Sequence, residues 1–320
     1  MLRDIIFEHI NKSSEGEYIF VTFASWSVSD PVFFGKSFFE KGDIEVFVIA
    51  QTKVNHWYHT EEINKVAKIV ISRAKESNKD IILYGSSMGG YAATHYRNMF
   101  NAAVSIAIAP QIFINKNVSH YENRWSKDLA LLQDQMCFDE IDNLSVQNGK
   151  AFILYDPLHS LDNQHIESYR ELIDKEADFI KVPYSSHDLA RFLHNAGMLK
   201  EVIYQISEKR VISNSLINEL KTLFLEDHKT FFNYFRNQST IKNDIDEELI
   251  QKMSKYLENV EIMDFEALYM AAETLSNLGR HREAVFLSTK SIESYRARFT
   301  KDAPAYLYSK HDLILKKSKE

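Results

Sequence analysis

An α/β fold, with a mostly parallel sheet, helices on both faces and an all-α C-terminal region, is predicted by three observations. Short apolar runs alternate with helix-period segments along roughly the first two thirds of the chain. From about Val211 the strand signal disappears and only helical patterns follow. Between one of the strands and the helix after it stands a G-x-S-x-G sequence, Gly85-Ser86-Ser87-Met88-Gly89. Strands that read as continuous apolar runs belong to parallel sheets covered on both faces, and right-handed crossovers leave such a chain few topologies.

Taken in order, strands are expected at 18–23, 44–50, 81–84, 102–109, 151–155 and 179–182. The segment 61–75 carries Ile63, Val66, Ala67, Val70 and Ala74 at helical spacing. Further helices are expected at 88–100 and 164–175, each after a strand. The stretch 111–149 is too long for a plain connection; it is read as a cap insert over a pocket, with helical sequence near 125–132. After the second strand come His56, Trp57 and Tyr58, which either line a substrate pocket or pack against the following helix. Residues 1–210 are thus expected to form one α/β domain and residues 211–320 a helical one.

Within the helical region, patterns run over 213–226, 229–237, 246–258, 265–278, 282–295 and 303–316. The pair spanning 266–295 carries Leu275, Leu278, Gly279, Glu283, Ala284 and Ile292, which resembles one tetratricopeptide repeat. Degenerate repeats are conceivable over 213–258, but about three units make an independent array. A module of this kind binds a partner, or its own catalytic domain, more often than it performs chemistry.

Composition narrows the function classes. The 320 residues carry a net charge of −7, which argues against a broad nucleic-acid-binding face. Cys137 is the sole cysteine, so neither an internal disulfide nor a cysteine metal cluster is expected, and its side chain is read as a small buried hydrophobe. The first ten residues contain Arg3, Asp4 and Glu8 and do not read as a signal peptide. No run approaches the roughly eighteen apolar residues of a membrane span. A cytoplasmic location, with no metal and no resident cofactor, is the expectation.

The G-x-S-x-G sequence lies in the strand–turn–helix setting that a nucleophile elbow requires. Gly85 and Gly89 keep side chains out of a turn where backbones cross closely. The plainer reading is a glycine-rich turn whose serines cap the helix. If Ser87 is the nucleophile, a carboxylate and then a histidine should follow it in the chain. Asp156 closes the 151–155 strand, and His187 follows the 179–182 strand in a loop before a helical stretch. Asp162 is the rival acid, but it lies beyond the strand end, where a carboxylate is commonly solvated or caps a helix. His159 sits beside the acid rather than beyond the last strand, and His194 falls inside a helix. For the oxyanion hole, one donor is expected from the Met88 amide and a second from Ser25 or Trp26, after the first expected strand.

Together, Gly85–Gly89, Asp156 and His187 resemble the α/β-hydrolase superfamily over roughly residues 15 to 208. The resemblance implies acyl transfer through an acyl-Ser87 intermediate without a metal. Residues 185–193, Ser-Ser-His-Asp-Leu-Ala-Arg-Phe-Leu, joined to a helical tail, are also similar to hydrolase-fold proteins of bacterial capsule and surface-glycan synthesis. That likeness points to an esterase or O-acetyltransferase on a small-molecule or glycan acyl substrate, with acetyl-CoA as a possible donor in the transferase case. An acyl-carrier thioesterase would use the same triad. The competing class is a non-catalytic scaffold whose helical tail binds a protein partner.

Overall fold

The computed structural model describes residues 4–27, 33–52, 56–173, 176–241 and 247–319. The chain divides into two compact units, Met1–Lys221 and Thr222–Glu320. In the first, strands β1 (Ile5–Ile10), β2 (Tyr18–Phe23), β3 (Val46–Gln51), β4 (Asp80–Ser86), β5 (Val104–Ile108), β6 (Lys150–Tyr155) and β7 (Asp178–Lys181) form a single sheet. Its order is β1-β3-β2-β4-β5-β6-β7. Among the described residues only β1 runs antiparallel to its neighbour, and the other pairings are parallel.

The helices of this unit are α1 (Lys36–Gly42), α2 (Glu62–Ser77), α3 (Met88–His95), α4 (Ser126–Leu132), α5 (Glu140–Ser145), α6 (Ser160–Leu172), α7 (Leu189–Asn195), α8 (Leu199–Lys209) and α9 (Asn214–Thr222). Residues of β2 through β6 are almost wholly buried, because α helices cover both faces. Helix α3 is buried along its whole length, so the segment that follows β4 runs through the centre of the unit. This is the α/β-hydrolase fold: a parallel sheet with an antiparallel edge strand and a central strand that runs into a buried helix through a tight turn.

Strand β1 was not among the expected strands. Its sequence, Ile-Ile-Phe-Glu-His-Ile, carries Glu8 and His9 mid-strand, and only Ile5 is fully buried. Charge in an edge strand blunts its pairing capacity, and it also erases the alternation by which a strand is recognised. Immediately before β3, the buried Glu45 ties the edge together. It accepts from Arg73 Nε at 2.6 Å and from Lys79 Nζ at 2.6 Å, and it pairs with His9 Nε2 at 2.9 Å.

Burial alone would raise the Glu45 pKa, but the bonds from Arg73, Lys79 and His9 outweigh it and hold the carboxyl below its ordinary value. A depressed folded pKa means that the stabilisation is present above the unfolded carboxylate value and fades as pH falls through the folded one. Glu45→Ala should therefore lower the unfolding free energy by about 1–3 kcal/mol at neutral pH, since it leaves the buried Lys79 ammonium and the partly exposed Arg73 without their carboxylate. The gap to wild type should narrow below about pH 4. Urea unfolding at both pH values tests this, and a neutral-pH loss under about 1 kcal/mol would contradict the role given to Glu45.

The second unit holds helices α10 (His228–Ile241), α11 (Glu247–Leu257), α12 (Phe265–Asn277), α13 (His281–Phe299) and α14 (Ala305–Lys317). Asp264 caps α12 by accepting from the Ala267 amide at 2.8 Å. Gly279, with φ of 75°, makes the turn into α13, and the Arg280 amide closes it on the Leu275 carbonyl. Ala271, Ala272 and Ala284 are fully buried, which lets α12 and α13 approach closely as a helical hairpin. Helix α9 lies on the first unit's side except for its last residue, so the division falls later than the boundary expected near residue 210. No helix among the described residues is long and apolar enough to cross a membrane.

Candidate active site

Ser87 occupies the turn between β4 and α3 with φ 53° and ψ −119°, a backbone conformation that costs a non-glycine residue energy. Its amide donates to the Ile108 carbonyl at 2.9 Å, and its carbonyl accepts from the Tyr91 amide at 2.9 Å. The flanking glycines are demanded by contact. A Cβ on Gly85 would meet the Gly89 carbonyl oxygen at 2.2 Å, and one on Gly89 would meet the Phe23 carbonyl oxygen at 2.2 Å. The turn thus presses against the end of β2, where Phe23 pairs with Gly85.

His187 stands after β7 in a loop shaped by the positive φ angles of Tyr184 and Ser186. Its Nε2 lies 2.9 Å from Ser87 Oγ, and its Nδ1 lies 2.8 Å from Asp162 Oδ2 and 3.0 Å from Oδ1. A carboxylate only accepts, so Nδ1 carries the ring proton and Nε2 offers its lone pair to the Ser87 hydroxyl. Asp162 is buried in the first turn of α6. Burial pushes its pKa up, but the bonds from His159 and His187 outweigh that and hold the carboxyl well below the usual range.

The carboxylate that His187 Nδ1 meets is Asp162 and not the expected Asp156, whose hydrogen bonds go to backbone amides. Its Oδ1 accepts from the Leu158 amide at 2.9 Å and its Oδ2 from the Ser186 amide at 2.7 Å. Burial is the first influence on its pKa, and it raises it. Asp156 pins the loop that carries His187, while the start of α6 brings Asp162 back to the imidazole. Nothing in the sequence near Asp162 announces this, because an acid in the first turn of a helix is favourable on dipole grounds alone.

The insert between β5 and β6 supplies residues that the sequence did not single out. Arg124 Nη1 donates to Asp162 Oδ1 at 2.9 Å and lies 3.2 Å from His187 Nδ1. Trp125 packs on Trp26 with ring centroids 4.5 Å apart, and Trp26 Nε1 donates to Asp128 Oδ2 at 2.9 Å. His159, Asp162 and His187 bring potential metal-ligand atoms within 4.8 Å of one another. By ligand type the set would suit zinc, but the Arg124 guanidinium already sets a fixed positive charge against two of its members. The cluster is a hydrogen-bonding arrangement.

The amide of Met88 opens α3, among the first-turn donors that have no acceptor inside the helix. Across the turn, Ser25 Oγ donates to the Ser86 carbonyl at 2.8 Å and fixes the loop after β2 beside Ser87. The Ala24 amide is used by the Ile49 carbonyl, which leaves Ser25 or Trp26 as the strand-end candidates. Beside the turn is a cavity of about 380 Å³, lined by Ser25, Phe34, Tyr84, Ser86, Asp188 and Arg191.

The expected substrate-binding group resolves the other way. Trp57 and Tyr58 are fully buried, with Trp57 Nε1 donating to Gln111 Oε1 at 2.9 Å and Tyr58 Oη to the Ala24 carbonyl at 2.8 Å. His56 is nearly buried beside them, and its amide donates to Gln51 Oε1 at 2.6 Å. None of the three lines that cavity, and Trp57 and Tyr58 belong to the hydrophobic core. Cys137, expected to be buried, is exposed.

Residues 35–151 match an uncharacterised protein family, UPF0227. No curated protein matches the chain. Among solved structures, the chain is similar to the capsule O-acetyltransferase of Neisseria meningitidis serogroup A, at 16% identity and a TM-score of 0.48, covering 64% of this chain and 92% of that one. It is also similar to a Pyrococcus furiosus esterase, at 13% identity and a TM-score of 0.45, covering 64% and 85%. A third is Thermogutta terrifontis esterase 2 phosphonylated by sarin, at 10% identity and a TM-score of 0.47, covering 63% and 89%.

Proposed function

We propose that this protein performs acyl-ester chemistry through a covalent acyl-Ser87 intermediate, with His187 as general base and Asp162 as the acid that orients it. The observation that carries the reading is the unbroken line Ser87 Oγ–His187 Nε2 and His187 Nδ1–Asp162, at 2.9 and 2.8 Å. A serine hydroxyl is a weak nucleophile until a base takes its proton during attack. His187 Nε2 accepts that proton as Oγ bonds to the ester carbonyl carbon, and Asp162 stabilises the imidazolium. The carbonyl oxygen, now negative, is met by the Met88 amide and by a donor from Ser25 or Trp26. As the carbon–oxygen bond to the leaving alcohol breaks, His187 returns the proton to that alcohol. Water or an acceptor hydroxyl then attacks the acyl-enzyme by the same steps in reverse.

The strained backbone of Ser87 supports the same reading, since a turn that served only to cap α3 has no need of it. The finer proposal is esterase or O-acetyltransferase action on an acetylated surface glycan, with the insert acting as a cap that limits water. It rests on the resemblance of residues 185–193 and is tested by acetate release from, or transfer to, O-acetylated polysaccharide. The helices beyond residue 221 are assigned a repeat-like, partner-binding role rather than a chemical one.

Intact mass after treatment with a fluorophosphonate tests the core of the proposal. A single adduct is expected on wild type and none on Ser87→Ala or His187→Ala. Labelling that persists in Ser87→Ala, or a folded wild type that takes no label, would overturn the nucleophile assignment.

A further inference from the structure

We propose that Arg124 is a positioning residue for the catalytic base, and that Arg124 and Glu122 tune the protonation of His187 in opposite directions. The inference rests on the triad reading above and goes beyond it. Arg124 reaches the triad from the insert between β5 and β6 and is held from both sides. Its Nη1 donates to Asp162 Oδ1 at 2.9 Å, and its Nε and Nη2 bind the Glu122 carboxylate at 3.0 to 2.5 Å. Glu122 is buried, and it accepts from its own neighbour's backbone, the Arg124 amide, at 3.0 Å.

Glu122 is anchored in turn by His165 of α6, whose Nε2 lies 3.1 Å from Glu122 Oε2. The Phe113 amide donates to His165 Nδ1 at 3.4 Å, so Nε2 carries the ring proton and donates to Glu122. Burial raises the Glu122 pKa, but His165 and Arg124 override it and bring the carboxyl down to about 2. The result is a row of alternating charge, a partly buried Arg124 between the buried Asp162 and Glu122, fastened to α6 at both ends.

Two consequences follow for His187. With Oδ1 of Asp162 taken by Arg124, Oδ2 is aimed at His187 Nδ1, the closer of the two carboxylate contacts. Against this, the guanidinium lies 3.2 Å from Nδ1, where it opposes the imidazolium that must form. Glu122 returns negative charge next to that guanidinium and lessens the opposition. Ser87 and the His159 ring, at 5.7 Å between centroids, also face the imidazole, while the chain neighbour Asp188 pairs with Arg191. All three are unchanged in the variants proposed here.

NMR titration of the His187 ring, with kcat and KM for p-nitrophenyl acetate from pH 5 to 9, separates tuning from a merely structural role. The proteins are full-length wild type, Arg124→Gln, Arg124→Lys and Glu122→Gln. Arg124→Gln should raise the His187 midpoint by about one unit, because a nearby cation is lost, and Glu122→Gln should lower it. Arg124→Gln should also reduce kcat by about 10²-fold with KM little changed, through misorientation of the base. Arg124→Lys should restore the midpoint but only part of kcat, since a lysine cannot hold both carboxylates in the same fork.

Midpoints that move the same way in both glutamine variants, or not at all, would overturn the proposal. The ring titration needs no turnover, so it decides this question even if p-nitrophenyl acetate hydrolysis persists in Ser87→Ala. That persistence would count against the triad reading instead.

Discussion

Asp162→Asn is expected to lower kcat by about 10⁴-fold, because an amide that can donate favours the wrong imidazole tautomer. In the native site Asp162 forces the proton onto His187 Nδ1 and leaves Nε2 free for the Ser87 hydroxyl. An asparagine Nδ2 facing Nδ1 reverses that assignment, so Nε2 carries the proton and no longer serves as a base. Asp156→Asn should behave differently. Asp156 accepts from the Leu158 and Ser186 amides, and one oxygen of an asparagine can still take one of them.

The loss in Asp156→Asn should come from a loosened His187 loop, about 10²-fold or less. It should be accompanied by a measurable fall in Tm, as one partly buried backbone amide loses its partner. Steady-state kinetics on the two variants, normalised to fluorophosphonate-titratable sites, gives the comparison. Equal losses, or a larger loss in Asp156→Asn, would return the acid's role to the strand end.

That pair also marks how far the sequence could be read. Ser87 and His187 were legible because each is defined by local context, a glycine-flanked turn between strand and helix and a loop after the last strand. The carboxylate that meets His187 was not, because that contact depends on how the first turn of α6 folds back toward the imidazole. Asp156 sits where a strand-end acid belongs, and its backbone bonds account for its presence there without any chemistry. His56, Trp57 and Tyr58 illustrate the same limit. A cluster of aromatic and imidazole side chains looks like a pocket wall in one dimension, but positive φ at Trp57 and Tyr58 turns both rings inward, where they are fully buried.

Arg124 and Glu122 were the least accessible of all. They belong to a long insert with no motif, and their pairing with Asp162 and His165 joins segments far apart in the chain. The strands of the sheet, by contrast, needed only their apolar runs, apart from the charged edge strand β1.

Ser87→Gly and Ser87→Ala should both abolish turnover, with kcat falling by about 10⁴- to 10⁶-fold, but they should move stability in opposite directions. At φ 53° and ψ −119° the native serine is held in a conformation that any Cβ opposes. Glycine relieves that strain, worth about 1–3 kcal/mol, and gives back roughly 0.4–1 kcal/mol through the greater freedom of its unfolded chain. Alanine keeps the strain and loses the hydroxyl that meets His187 Nε2. Ser87→Gly should therefore unfold at higher denaturant than Ser87→Ala, and at or above the wild-type midpoint.

A stability gain with total loss of activity is what a turn shaped for nucleophile presentation predicts, because the strain serves the position of Oγ and not the fold. A Ser87→Gly variant that unfolds well before wild type would mean that the turn is relaxed around serine. The elbow would then be a structural crossing of β4 and α3, held by Gly85 and Gly89 alone.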